Sequence, residues 1–425
     1  MNVALRLARC LAGLIAFAST SVASGFDGME GSHSRPHRDG IEKNHFILCC
    51  ASTEAWTAVA DMNRFRRRAV ATLLPDGKVL VAGGGGSIIG VPEVHASAEL
   101  YDPASDSWTF TGNMRVSRLL ASATLLADSR FLVVGGLADP LPESDDFFSY
   151  SATAEFYDAV TGRWNLTAPL PAPSAGHSAT LLRDGRVLVA GGQTPGVSSV
   201  ENMDTAELYD PSTETWGPSG RLASGKRQAH TATLLSDGRV LVTGGWLGSF
   251  RNSEITSTCE IYDPSTGQWS RVGDMGAPRI GHTATALPGG KVLVAGGANV
   301  SGDLPSAELF DPATGQWTPT SNLNDPRGDH TATLLPNGNV LVAGGVAEGD
   351  DSITRVVTRT EIYDTATGTW RPGAHLIEGR FAHTATLLRD GSVLIAGGME
   401  VVNAWAGGGY QTESISSAER SPGSP

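Results

Sequence analysis

Apolar positions in this chain come in short bursts of four or five residues bounded by turn formers, the rhythm of strands rather than helices. The stretch that begins at Arg227 shows the order. Thr231-Ala232-Thr233-Leu234-Leu235 leads to Asp237-Gly238, and Val240-Leu241-Val242-Thr243 leads to the doublet Gly244-Gly245. A variable stretch follows, then Glu260-Ile261-Tyr262, the turn signals Asp263-Pro264 and Gly267, and finally Trp269. The pattern predicts four strands, with the Asp-Gly pair forming a primed two-residue hairpin turn. No segment of the repeats carries an amphipathic helical period.

The unit recurs. Gly-Gly doublets begin at Gly83, Gly135, Gly191, Gly244, Gly296, Gly344 and Gly397, about fifty residues apart, a period that signals a repeat architecture. Four antiparallel strands repeated radially make a propeller. The first two strands are rich in Ala, Thr and Val, suited to a crowded axis, and the later ones carry Tyr and Trp, suited to gaps that widen outward. Trp56 lies in a spare strand before the first doublet, while the last unit stops at Ser417-Ala418-Glu419 without its Trp. The expected fold is therefore all-β: a seven-bladed β-propeller of four-stranded antiparallel blades, closed by pairing of the N-terminal strand with the C-terminal blade. Such closure removes open sheet edges.

A Gly-Gly doublet followed by spaced Tyr and Trp resembles the kelch repeat, over residues 53–420. The resemblance implies a propeller but little about function, because kelch propellers include enzymes, sugar-handling proteins and protein-binding modules. Galactose oxidase is a seven-bladed copper enzyme of this type, with two tyrosines, two histidines and a cysteine crosslinked to one tyrosine. Those residues do not transfer here: no tyrosine is followed directly by histidine, and Cys259 belongs to a regular third strand. Periplasmic kelch sugar epimerases, with an arginine-lined pocket for an acidic sugar, are a second enzyme class implied by the resemblance.

With 425 residues the chain is long enough for two or three domains, but the repeat implies one closed domain. A net charge of -13, and the lack of a basic cluster interleaved with aromatics, argue against nucleic-acid binding. Residues 1–23 read as a secretory signal, with Arg6 and Arg9 before the apolar run Leu11 to Ala18 and small residues at Ser21-Val22-Ala23. Residues 24–52 read as a flexible leader and 421–425 as a tail. After signal cleavage no apolar stretch is long enough to span a bilayer. The expected location is secreted, extracellular or periplasmic. Cys49, Cys50 and Cys259 are too few for a disulfide scaffold; the first two suit a vicinal or intermolecular disulfide, and Cys259 a small buried hydrophobe.

Three constellations carry candidate chemistry. Arg66, Arg118, Arg227, Arg279, Arg327 and Arg380 precede the innermost strands, with Ser174 in the third unit. They suit either an anionic ligand at the mouth of the shaft or pairing with a carbonyl or acid of a neighbouring blade. His177, His230, His282, His330 and His383 follow three residues later, with Ala69 and Ala121 in the first two units. Because repeat residues share one radius, they read as buried histidines bonded to backbone, and no metal site is expected. Trp246, Trp405 and Tyr410 break the repeat and lie in the variable stretches, as do Phe147, Phe148, Tyr150 and Phe250, and the pairs Asp145-Asp146 and Asp350-Asp351. Exposed aromatics beside arginines suit a sugar or a protein segment; the alternative is that they plug their own long loops.

The expectation is a binding module for a glycan, a small acid or a protein. Its ligand-binding residues would be Arg118, Arg227, Arg279, Arg327, Arg380, Trp246, Trp405 and Tyr410, with no cofactor and no assigned catalytic residue. A sugar epimerase or a galactose oxidase-like oxidase is the alternative.

Overall fold

In the computed structural model the described residues are 55–88, 91–140, 148–196, 200–249, 252–348, 354–405 and 409–423. They form seven four-stranded antiparallel sheets, the blades, and the described residues contain no α-helix. The first blade orders Val70–Leu73, Val79–Ala82, Ala98–Asp102 and Ser107–Phe110 from the axis outward. The seventh uses both ends of the chain. Thr384–Leu387, Val393–Ala396 and Ala418–Arg420 come from the last unit, and Thr57–Val59 completes the sheet with Thr57 opposite Arg420 and Val59 opposite Ala418. The closure expected from the spare first strand is present.

The core lies between blades. Met62, Val79, Val81, Tyr101 and Trp108 pack with Leu388, Leu394 and Ala396 across the closing seam, and similar clusters join the first blade to the second and so on around the ring. Among the described residues Tyr and Trp pack as tilted pairs in the outer part of five blades, such as Tyr101 with Trp108 at 5.0 Å between ring centroids, and Phe310 with Trp317 does so in a sixth. The Trp108 indole N–H donates to Ala60 O of the closing strand (2.8 Å), and Trp317 donates to Gly273 O of its preceding blade (2.9 Å).

The Gly-Gly doublets weld neighbouring blades together. Gly83 and Gly84 both have positive φ, 66° and 80°. The Gly84 N–H donates to the carbonyl of Arg118 in the next blade (2.8 Å), and a Cβ on Gly83 would stand 2.7 Å from that carbonyl oxygen. Only glycine meets both demands, the left-handed backbone and the close approach. The bond recurs around the ring and ends with Gly398 N–H to Arg66 O (2.7 Å), which joins the seventh blade to the first.

Two local expectations are corrected. The Asp-Gly turn is not the primed type. Gly238 has φ 91° but Asp237 does not have positive φ, Leu235 N–H donates to Arg239 O, and Asp237 Oδ1 accepts the Arg239 N–H at 3.0 Å. This is a longer loop with a single left-handed glycine, in which the aspartate side chain closes the turn. The variable stretches, read as loops, are a second tier of β-hairpins on one face of the ring. Gly85–Ile88 with Val91–Val94 and Met399–Trp405 with Gly409–Ser414 are two of them. Each tier hairpin is tied down by a bridge to the segment before an innermost strand, such as Arg67 to Gly85 and Phe381 to Met399.

Candidate functional site

The arginines that precede the innermost strands point into the blades, not into the shaft. Arg66, Arg118, Arg227, Arg279, Arg327 and Arg380 are all at most 1% exposed. In each, Nη1 donates to the carbonyl of the first glycine of its own blade's doublet and to the carbonyl of the residue two before a third-strand glutamate. For Arg279 these are Gly296 O (2.8 Å) and Ser306 O (2.9 Å). Nη2 meets the glutamate itself: Glu99, Glu155, Glu260, Glu308, Glu361 and Glu419 lie 2.8–3.0 Å from their arginines. The second carboxylate oxygen accepts backbone N–H groups from the segment leading to the arginine, as Glu361 does from Asn324 (2.7 Å). Burial pulls the guanidinium of Arg66 below its usual value, and the coulombic pull of Glu99 opposes that shift. These are internal clamps of six of the seven blades. Arg118, Arg227, Arg279, Arg327 and Arg380 are thus removed from the residues able to touch a ligand, because their donors are already used in a buried network.

The mouth of the shaft is built by the residues two after those arginines. Arg68, Leu120, Gly176, Ala229, Gly281, Asp329 and Ala382 all have positive φ, between 49° and 65°. Backbone bonds join most neighbours in this collar, as in Ala229 N–H to Gly176 O (3.1 Å) and Asp329 N–H to Gly281 O (2.9 Å). A cavity of about 360 Å3 lies on the axis, lined by this collar and by the five repeat histidines. Arg68 and Asp329 supply its charge and form an ion pair at 3.0 Å. Both were missed in the sequence. The signal was there: one position inside an otherwise constant motif reads Arg, Leu, Gly, Ala, Gly, Asp, Ala.

The histidines are blade-to-blade ties. Their Nε2 atoms lie within hydrogen-bond distance of a hydroxyl in the preceding blade: His177 with Ser122 (2.7 Å), His230 with Ser178 (2.9 Å), His330 with Thr283 (3.0 Å) and His383 with Thr331 (2.9 Å). His282 shares Thr231 and Thr243, each at 3.2 Å. Their partners are thus hydroxyls, not the backbone groups expected. Burial pushes His177 down to about 4, and His230, His282 and His383 to about 3, so the rings are neutral at pH 7. Among the described residues no group of three or more His, Cys, Asp or Glu could hold a metal ion.

The aromatics divide. Trp246 is 3% exposed and packs with Ile255 and Ile280 beneath the hairpin tier, so it is corrected from an open platform to a core residue. Tyr150 and Phe148 pack partly buried against Leu119 and Leu137. Trp405 and Tyr410 sit on the two strands of the longest tier hairpin, opposite Gly409 and Ala404. Phe147, Phe250, Asp145-Asp146 and Asp350-Asp351 lie outside the described residues, as do the signal, the leader, Cys49 and Cys50. Cys259 is fully buried, and burial pushes its thiol up to about 12. On the side of the ring that carries the Asp-Gly turns lies a groove of about 410 Å3 lined by Arg183, Asp237, Arg239 and Asp263. The aspartates there are engaged with the turns, as Asp263 is with Ser265.

A copper centre of the galactose oxidase type does not fit these residues. Tyr101, Tyr157, Tyr209, Tyr262 and Tyr363 are each stacked beside a tryptophan between blades, and Cys259 is packed in a blade core.

Comparison with known proteins agrees with this architecture. A family model described as the Kelch motif matches residues 66–115, 229–276 and 279–324. Kelch-like protein 15 of Mus musculus is 27% identical over 233 residues, covering 49% of this chain and 35% of that protein. Kelch-like protein terF of Aspergillus terreus is 27% identical over 257 residues, covering 59% of this chain and 53% of that protein. The chain thus spans only part of the length of the relatives it matches. A fungal alcohol oxidase of the AA5 family, solved in complex with copper, superposes with a TM-score of 0.66 at 18% identity, covering 88% of this chain and 77% of its own. That likeness is one of fold. Seven Gly-Gly blades, the repeating aromatic pairs and these matches together show a seven-bladed β-propeller that carries kelch motifs.

Proposed function

We infer that this propeller is a secreted binding module whose recognition surface is the hairpin tier, and that its ligand is a protein segment or a glycan. One observation carries the reading: what the repeat holds constant is buried, and what varies stands on one face. The clamp arginines, the histidines and the Tyr–Trp pairs are used inside the ring. The tier hairpins range from Ala298–Asn299 paired with Gly302–Asp303 to the seven-residue Met399–Trp405 paired with Gly409–Ser414. Variable elements on a rigid scaffold are where recognition concentrates. Kelch propellers commonly serve as interaction modules, which favours binding over the enzymatic alternatives. The acidic-sugar pocket of the epimerase reading loses its support, because the arginines it needed are buried.

Trp405 and Tyr410 are the anchors of this reading. The test is a screen of the purified protein against a glycan array and against proteins of its native secretory compartment, repeated with Trp405→Ala. An anchoring aromatic typically contributes about 2 kcal/mol or more, so the variant should bind about thirtyfold more weakly with an unchanged melting temperature. Equal binding by the two proteins, or retention of the chain inside cells, would overturn the reading.

A further inference from the structure

The third blade lacks its clamp. Ser174 stands where the other six blades have arginine, yet its backbone is in register with theirs. Ser174 N–H donates to Ser151 O as Arg118 N–H does to His95 O, and Ser174 O accepts from Gly136 as Arg118 O does from Gly84. The glutamate of the third strand is nevertheless retained: Glu207 lies opposite Val189, as Glu155 lies opposite Val133. Its second set of partners is gone as well. In the other blades the residue three before the arginine donates its backbone N–H to the glutamate, as Asn63, Arg115, Gly276 and Asn324 do at 2.7 Å. In the third blade that residue is Pro171, which has no N–H.

Glu207 is therefore a carboxylate stripped of both repeat partners. Among the described residues its side chain makes no hydrogen bond or ion pair, and burial pushes its carboxyl up. It is part-exposed where Glu99, Glu155, Glu260 and Glu361 are fully buried, so solvent reaches it. The acceptors that surround a guanidinium elsewhere in the ring remain in its neighbourhood. Gly191 O corresponds to Gly296 O, and Thr205 supplies the carbonyl and hydroxyl that Ser306 gives to Arg279; the Gly191 N–H to Thr205 O bond shows the same backbone arrangement. Ser174 Oγ reaches Gly191 O only at 3.4 Å. A carboxylate, two carbonyls and a hydroxyl in this arrangement match a planar cation with several N–H donors.

We propose that the third blade is a receptor for a guanidinium group supplied from outside the chain, held by Glu207, Thr205 and the Gly191 carbonyl in the place that Arg279 and its equivalents fill in the other blades. The six intact clamps define the ligand: a guanidinium with one face of donors to two carbonyls and another to a carboxylate. Its source is an arginine side chain on a partner's exposed segment, or free arginine. The site is separate from the tips of the tier hairpins and does not depend on how they are used.

Methylguanidinium is the minimal probe, measured by calorimetric titration of the full chain at neutral pH. One site per chain is expected. Glu207→Gln should weaken binding about tenfold or more, since a hydrogen bond to a charged group is lost, and should leave the melting temperature unchanged or higher. Ser174→Arg should fill the site from within, raise the melting temperature and abolish binding. A Gly-Arg-Gly peptide with blocked termini competing as well as free arginine points to a partner's side chain; free arginine competing alone points to the amino acid. The proposal falls if wild type does not bind the probe, if Ser174→Arg binds it as wild type does, or if Ser174→Arg is destabilised or fails to fold.

Discussion

Arg68 and Asp329 belong to the first and sixth blades, yet the guanidinium and the carboxylate meet 3.0 Å apart over the central shaft. Between them lies Ala382 of the seventh blade. The Arg68 N–H donates to Ala382 O (2.8 Å), and the Ala382 N–H donates to Asp329 O (3.1 Å). The ion pair therefore spans the blade that is assembled from both ends of the chain, and backbone bonds run beneath it. It acts as a brace across the closing seam.

Both partners are partly solvated, at 19% and 25% side-chain exposure, so the pair is worth about 1 kcal/mol or less. A double-mutant cycle with Arg68→Met and Asp329→Asn, read by urea denaturation, should return a coupling energy of that size. High salt should reduce it, because water and ions reach the pair. A coupling of zero at low salt would mean that the contact contributes nothing to closure.

The clamp pairs behave differently. Arg279 is fully buried and Glu308 nearly so, at 2.8 Å. Removing one member of a buried pair leaves an uncompensated charge and costs about 3–5 kcal/mol, a large part of a typical domain's stability of about 5–15 kcal/mol. Arg279→Met should lower stability by that amount. The double variant Arg279→Met with Glu308→Leu should recover much of it, since no charge is then left behind. If the single variant were neutral in urea denaturation, the clamp would have no structural role.

The contrast explains what could be read in advance. Strand order, blade number and closure were legible because Gly83-Gly84, Tyr101 and Trp108 recur with their spacing intact. The direction of the arginines was not legible from Arg279 alone. It depends on Glu308 and on the Gly296 carbonyl, which become neighbours only once the strands pair. Trp246 looked like an exposed departure from the repeat, but pairing of Trp246 with Gln228 turns it under the hairpin tier. The collar residues were overlooked because Leu120 and Asp329 do not announce a left-handed backbone as glycine does.

The neutral histidines set an acid limit. An unfolded imidazole titrates near 6.5, while burial holds His230, His282 and His383 near 3 and His177 near 4. Between those values the unfolded chain binds more protons than the folded one, so stability rises with pH. The contribution is complete above about pH 6.5 and is lost as pH falls toward the folded values. Each buried ring adds up to about 1.4 kcal/mol per pH unit within the window. Urea denaturation between pH 6.5 and 5 should show a steep fall in stability, and His383→Gln should make it shallower. A flat profile over this range would mean that the rings are not buried neutral.

Closure supplies the last prediction. Removal of residues 55–62 takes away the outer strand Thr57–Val59 and its three pairings with Ala418–Arg420. It also takes away Trp56, packed against Leu335, Leu341 and Leu376, and Met62, packed at the seam with Val79 and Leu394. The Trp108 indole N–H loses Ala60 O as its acceptor. Two large buried side chains at about 2–5 kcal/mol each are a large part of a typical domain's stability of about 5–15 kcal/mol, and the edge of Ala418–Arg420 is left open to pairing with other chains. The truncated protein should melt far below wild type and aggregate as it does so. Trp56→Ala, which keeps the strand pairing and removes one of the two anchors, should fall between them. A truncated protein that melts with wild type would show that the ring holds without its closing strand.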